Sequence, residues 1–178
     1  PAADGGCQAP GGRRVEGGGA GAGLGVMAPL QPEDAARYFT AVASEIASCT
    51  RVVLVARVAD AIVGSAQLDL CQRPNGLHRA ECQKVMVHRN ARRQGVGRAL
   101  MLAIDQAATE EQRTTLHLDA FSHQPARRLY ASCGWQHAGD IPEFSKTAEG
   151  PLAATSIYYR LLPANCNSSG EEARAEDR

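Results

Sequence analysis

The chain reads as a single α/β (α+β) domain, and three features of its pattern predict this. Apolar residues recur at helical spacing from Pro32. A β-branched run and an alternating run follow within 51–70. At 85–110 a strand-like segment passes through a basic, Gly-punctuated loop into a second amphipathic helix. Helix and strand signals interleave along a chain of 178 residues whose packable part, roughly 130 residues, suits one core.

Residues 1–26 carry runs such as Gly17-Gly18-Gly19 and Gly21-Ala22-Gly23. Glycine loses more conformational freedom on ordering than other residues, so this segment is expected to be flexible, ahead of a folded domain at 27–162. Pro32 suits a first helical turn, and Ala35, Tyr38, Phe39, Val42 and Ile46 lie on one face of a helix ending near Ser48. Arg51 to Val58 and Ile62 to Leu70 read as an antiparallel hairpin, the second strand setting Gly64, Ala66, Leu68 and Leu70 against Ser65, Gln67 and Asp69. Pro74 and Asn75-Gly76 mark a loop before a third strand at Ala80 to His88. A helix at 97–110, a strand at Thr114 to Ala120, a helix at Pro125 to Ser132 and strands at Trp135 to Ile141 and Ser156 to Leu162 complete the order. The polar segment 163–178 is expected to be a flexible tail.

Composition narrows the function classes. The 19 basic and 19 acidic side chains cancel, which gives no electrostatic footprint for nucleic acid. No run reaches the ~18 apolar residues that a membrane span needs, and the start lacks the order of a secretory signal, so a cytoplasmic protein is expected. The six cysteines form no Cys-x-x-Cys pair, which supports neither a disulfide frame nor a metal site.

The densest chemical signal is Val85-Met86-Val87-His88-Arg89-Asn90-Ala91-Arg92-Arg93-Gln94-Gly95-Val96-Gly97-Arg98. Ala99, Leu100, Ala103, Ile104, Ala107 and Ala108 give the following helix one packed face, so its first amides open at the loop and its dipole favours a phosphate there. Gly95 and Gly97 let a pyrophosphate approach the backbone, and Arg92, Arg93 and Arg98 supply charge. The Walker pattern is missing, and so is the dinucleotide fingerprint with its later acidic residue.

Arg92-Arg93-Gln94-Gly95-Val96-Gly97 matches the Q/R-x-x-G-x-G/A signature of the GNAT acetyltransferases. Ala126 to Trp135, with its Leu129-Tyr130 followed by Gly134 and an aromatic, resembles the second motif of that superfamily. The wording of Ser65-Ala66-Gln67-Leu68, Pro74-Asn75-Gly76-Leu77 and Arg79-Ala80-Glu81 is similar to the tabtoxin-resistance acetyltransferase group. The resemblance implies a mixed, mostly antiparallel sheet flanked by helices and splayed between the strands at 80–88 and 114–120. It also implies acetyl-CoA as cosubstrate, without a metal. Backbone groups of Met86 and Val87 would pair with the pantetheine arm, and the amides from Gln94 through Gly95, Val96 and Gly97 to Arg98 would hold the diphosphate. His123 stands where relatives carry a cofactor-touching Asn. Homodimers are common among relatives, and the last strand is a candidate interface.

Transfer to an amine needs a base, because an α-amine has a pKa of about 7.7–8.0 and a lysine about 10.4. Glu81, 14 residues before Gly95, stands where several relatives carry that base; a carboxylate paired with Arg79 or Lys84 is the plainer alternative. Tyr130 is the candidate acid for the leaving thiolate, and the Val87 N–H the candidate oxyanion donor. Asp119, read as the end of its strand, is a candidate for the substrate ammonium, or else a cap of the next turn. Leu70, Asn75 and Tyr158 are acceptor-pocket candidates by location. His78, His88 and His117 read first as structural or exposed, and Trp135 as core. A covalent route through Cys82 has no His at a recognisable spacing to support it. The expected reaction is direct acetyl transfer to a primary amine of a small molecule, of the amino-acid-like toxin or antibiotic kind. Peptide or protein N-acetylation and a non-catalytic acyl-CoA sensor are the rival readings.

Overall fold

The sheet is laid down largely by chain-adjacent pairing. In the computed structural model, which describes residues 32–122, 126–147 and 150–163, helix α1 (Pro32–Ala47) leads into the hairpin of β1 (Arg51–Val58) and β2 (Ala61–Leu70). Then follow β3 (Arg79–Val87), α2 (Val96–Glu110), β4 (Thr115–Phe121), α3 (Ala126–Ser132), β5 (Gln136–Lys146) and β6 (Leu152–Leu161). The segments expected to be flexible at 1–26 and after Pro163, and the cofactor candidate His123, lie outside the described residues. Among those described, no helix is long and apolar enough to cross a membrane.

The six strands run in the order β1-β2-β3-β4-β6-β5. Every neighbouring pair is antiparallel except β3 and β4, which are parallel. That parallel pairing lasts only from Arg79 opposite Thr115 to Glu81 opposite His117. Beyond this rung the two strands part, which is the expected splay.

Alternation along the strands gives the sheet two unlike faces. On one, Ala66, Leu68, Leu70, Ala80, Cys82, Leu116 and Leu118 are buried with Leu100, Met101, Ile104 and Ala108 of α2. On the other lie Gln67 and Asp69, and α1 is tied there by polar contacts. The Tyr38 hydroxyl donates to Gln67 Oε1 at 2.8 Å, and Arg51 pairs with Glu45 of α1 and, at 3.0 Å, with Asp69. The expected helix faces shift accordingly. Phe39 is exposed although Val42, on the same predicted stripe, is buried; on α2 Ala99 is exposed and Met101 takes its place in the core.

β5 and β6 are longer than predicted. Pro142 reads as a strand breaker, yet it lies in an edge strand, where a missing N–H costs no ladder bond. The irregularity is absorbed by a register shift between Ile141 and Ser145, with Glu143 at φ 53°.

Candidate active site

The loop from β3 to α2 concentrates unpaired N–H groups. His88 opens it, its ring accepting from the Asn90 N–H at 3.4 Å, and a short 3-10 turn spans Arg89–Ala91. Arg93 (φ 63°) and Gly95 (φ 83°) are both left-handed, a backbone pattern that makes anion-binding concavities. Gly95 caps α2 without any side-chain bond. The first helical amides, of Val96, Gly97 and Arg98, therefore have no acceptor within the helix and sit at the positive end of its dipole. A Cβ placed on Gly95 would meet nothing within 4 Å, so the approach is open. Donors, dipole and space together fit a diphosphate.

The surrounding side chains divide differently from expectation. Arg92 Nε donates to the Val87 carbonyl at 3.1 Å, Arg98 Nη1 to the Ser132 carbonyl at 3.0 Å, and Gln94 Nε2 to the Asn90 carbonyl at 2.9 Å. Arg92 thus ties the loop to β3, Arg98 ties α2 to α3, and Gln94 braces the loop on itself. Arg93 alone of the three arginines makes no such contact among the described residues. Gly97 also changes role: a Cβ there would lie 3.1 Å from Leu129 Cδ2, so its bareness serves the packing of α2 on α3 rather than the approach of an anion.

Past the splay, β3 has no strand partner on its β4 side among the described residues. The His88 N–H bonds the Val63 carbonyl at 2.8 Å, and Gly64 stands opposite Val87 and Ser65 opposite Met86. Peptide groups alternate direction along an antiparallel pair. Those of Val87 therefore point to the open edge and those of Met86 back to β2, which parts two residues expected to act together. Because Arg92 occupies the Val87 carbonyl, the Val87 N–H is the donor left in the cleft. A bulge inserts one extra residue in β3 between the partners of Ser65 and Gln67, with Lys84 left-handed at φ 52°, and re-aims the strand beside the cleft. No sequence signal marks this bulge.

Tyr130 lies on α3, in the core between α3 and the sheet. It is 7% exposed and packed against Tyr158 and Trp135, with ring centroids 5.2 and 6.5 Å away. Its hydroxyl has no hydrogen-bond partner among the described residues. Burial pushes the phenol well above its ordinary pKa, with Cys82, Tyr158 and Asp119 adding to the effect. The side chain is thus held as a neutral donor.

Glu81 is on the opposite face, within a row of polar residues that crosses the sheet. Arg51, Asp69, Glu81, His117, Tyr159 and Gln136 are successive register partners on β1, β2, β3, β4, β6 and β5. Glu81 Oε2 is 3.8 Å from His117 Nε2; of the alternative partners Arg79 and Lys84, Arg79 turns to Cys71 Sγ, while Lys84 lies within electrostatic reach of Glu81. Asp119 is exposed on the same face and two residues short of the end of β4, so it does not cap the following turn. Lys84 lies within electrostatic reach of both carboxylates and 5.8 Å above the Tyr38 ring.

Three pocket candidates are placed elsewhere. Tyr158 is opposite Leu118 on β4, and that register turns it into the core at 3% exposure; Leu70 is likewise core. Asn75 is exposed in the turn Pro74–Gly76 ahead of β3, at the end of the strand remote from the phosphate loop. Cys82 is buried on the core face, which pushes its thiol up to about 12; a thiol so held is not a nucleophile near neutral pH. Trp135 is core, as expected.

Residues 50–137 match the family model described as an acetyltransferase (GNAT) domain. Solved structures share the fold. Ribosomal-protein-alanine N-acetyltransferase from Brucella melitensis is 21% identical with a TM-score of 0.64, over 75% of this chain and 80% of that one. A GCN5-related N-acetyltransferase from Kribbella flavida is 28% identical with a TM-score of 0.56, over 64% and 68%. The yncA protein of Salmonella typhimurium, described as an acetyltransferase and solved with its cofactor acetyl-CoA, is 17% identical with a TM-score of 0.63, over 77% and 80%.

Proposed function

Since the chain carries a GNAT acetyltransferase domain and acetyl-CoA is its cosubstrate, we propose that it transfers acetyl directly to a primary amine of a small molecule. The acceptor class is amino-acid-like, as for the tabtoxin-resistance group that its wording resembles. The observation that carries this reading is the pairing of two unlike environments at the splay: a buried neutral phenol on one face, and the half-buried Glu81 with the exposed Asp119 on the other.

In this reading the amides from Gln94 to Arg98, with Arg93, hold the diphosphate, and bound acetyl-CoA supplies an acetyl thioester. The Val87 N–H faces the thioester carbonyl oxygen and stabilises negative charge there. Asp119 attracts the acceptor as an ammonium, and Glu81 takes the proton that makes it a nucleophile. Tyr130, kept protonated by burial, donates to the departing thiolate sulfur. Cys82 has no part.

The test is a panel of amines incubated with acetyl-CoA while free thiol is followed, beside calorimetry of coenzyme A binding. Small amino-acid-like amines are expected to turn over and N-terminal peptides not. Turnover confined to peptides would overturn the acceptor class, and no heat with coenzyme A would overturn the phosphate site.

A further inference from the structure

We propose that His117 is a positioning residue that relays the acceptor's proton from Glu81 to solvent. This rests on Glu81 being the base. Three observations carry it. Glu81 and His117 form the last rung of the β3–β4 ladder, so the pair stands at the vertex of the splay. Their side chains approach to 3.8 Å, within reach of direct contact after a small rotation or through one water. His117 is the more exposed of the two, 48% against 33% for Glu81.

The groups around it leave His117 as the exit. Asp69, the register partner of Glu81 on β2, is held by Arg51. Arg79 turns its guanidinium to Cys71 Sγ at 3.9 Å. On β6, Tyr159 donates its hydroxyl to Gln136 at 2.6 Å. Lys84 and Asp119 face the pair from β3 and β4 and are the other charged groups beside it.

The balance is simple. The N–H bond of the acceptor ammonium breaks with its electron pair left on nitrogen, and the proton joins a Glu81 carboxylate oxygen. It passes to His117 Nε2 as Nδ1 releases a proton to water, which returns both side chains to their starting charge.

The experiment compares His117→Ala, His117→Gln and Glu81→Gln with the unmodified protein across pH. His117→Ala is expected to lower kcat roughly tenfold near pH 7, less than the ~10²–10⁴ of a direct acid or base. The deficit should shrink as pH rises, because hydroxide can then unload Glu81, and added imidazole should restore turnover in His117→Ala. Without cosubstrate, the NMR signals of the His117 ring should change in Glu81→Gln, since the ring loses the carboxylate 3.8 Å from its Nε2. A deficit constant with pH and unmoved by imidazole would overturn the relay while leaving Glu81 as base. Full activity in Glu81→Gln would instead overturn the base assignment, and the relay with it.

Discussion

Gly134 and Arg160 compete for one space: a Cβ built on Gly134 would collide with Arg160 Nη1. The bare glycine lets the guanidinium lie flat on its way to Asp105 of α2, with Nε 2.7 Å from Oδ2. Burial pushes the Asp105 carboxyl up, and Arg160 offsets part of that. The contact is an ion pair without hydrogen-bond alignment, and it ties the last strand to the phosphate-site helix. Gly134 is also left-handed, at φ 79°. Gly134→Ala should therefore cost about 2–4 kcal/mol, from backbone strain and a disturbed, partly buried pair. Denaturant unfolding checks this; a change under about 0.5 kcal/mol would mean that Arg160 moves aside freely.

Gly95→Ala separates binding from stability. The residue is left-handed, but its missing Cβ faces open space, so the fold should lose only about 1–2 kcal/mol. The same methyl would narrow the open approach to the start of α2. Calorimetry should show coenzyme A affinity falling at least tenfold while the melting temperature moves little.

Tyr130→Phe removes a hydroxyl that holds no partner among the described residues, so the core around Tyr158 and Trp135 should survive. Turnover is expected to fall by about 10²-fold. Because burial raises the phenol, the unmodified protein should show no fall in kcat from Tyr130 ionisation below about pH 10. Stopped turnover of a saturating amine, followed with pH, tests both points.

Cys82 predicts a loss of stability in alkali. Its thiol rises from an ordinary 9.0 to about 12 in the fold, so between those values the unfolded chain has lost a proton that the folded chain retains. Stability is then whole below about pH 9 and falls by up to about 1.4 kcal/mol per pH unit toward 12. Cys82→Ala should flatten that slope and leave turnover intact. In the native protein at pH 7.5, iodoacetamide should label exposed Cys49 long before Cys82.

Much of this was legible in order along the chain. The 3.6-residue spacing of Leu100, Ile104 and Ala107 located α2, and the alternation of Ala66, Leu68 and Leu70 located β2, because both patterns record burial of one face. The open start of α2, where a phosphate is proposed to bind, was legible for the same reason: strand, Gly95 and helix are contiguous, and a helix start exposes its amides wherever it is placed. The acceptor side was not. Tyr158 and Leu70 were expected there, but which face a strand residue takes depends on its partner in register. The bulge at Lys84 and the strand through Pro142 were hidden because neighbouring strands, not local propensity, hold them.

By itself, then, the amino-acid order determined the elements and the open Gly95 turn at the head of α2, both set by interactions between residues a few positions apart. Tertiary structure decided everything that depends on pairing. It set Glu81 against His117, turned Val87 to the cleft and Met86 away from it, and let Arg160 pass over Gly134. These pairs lie far apart along the chain, and only strand register brings them within contact distance.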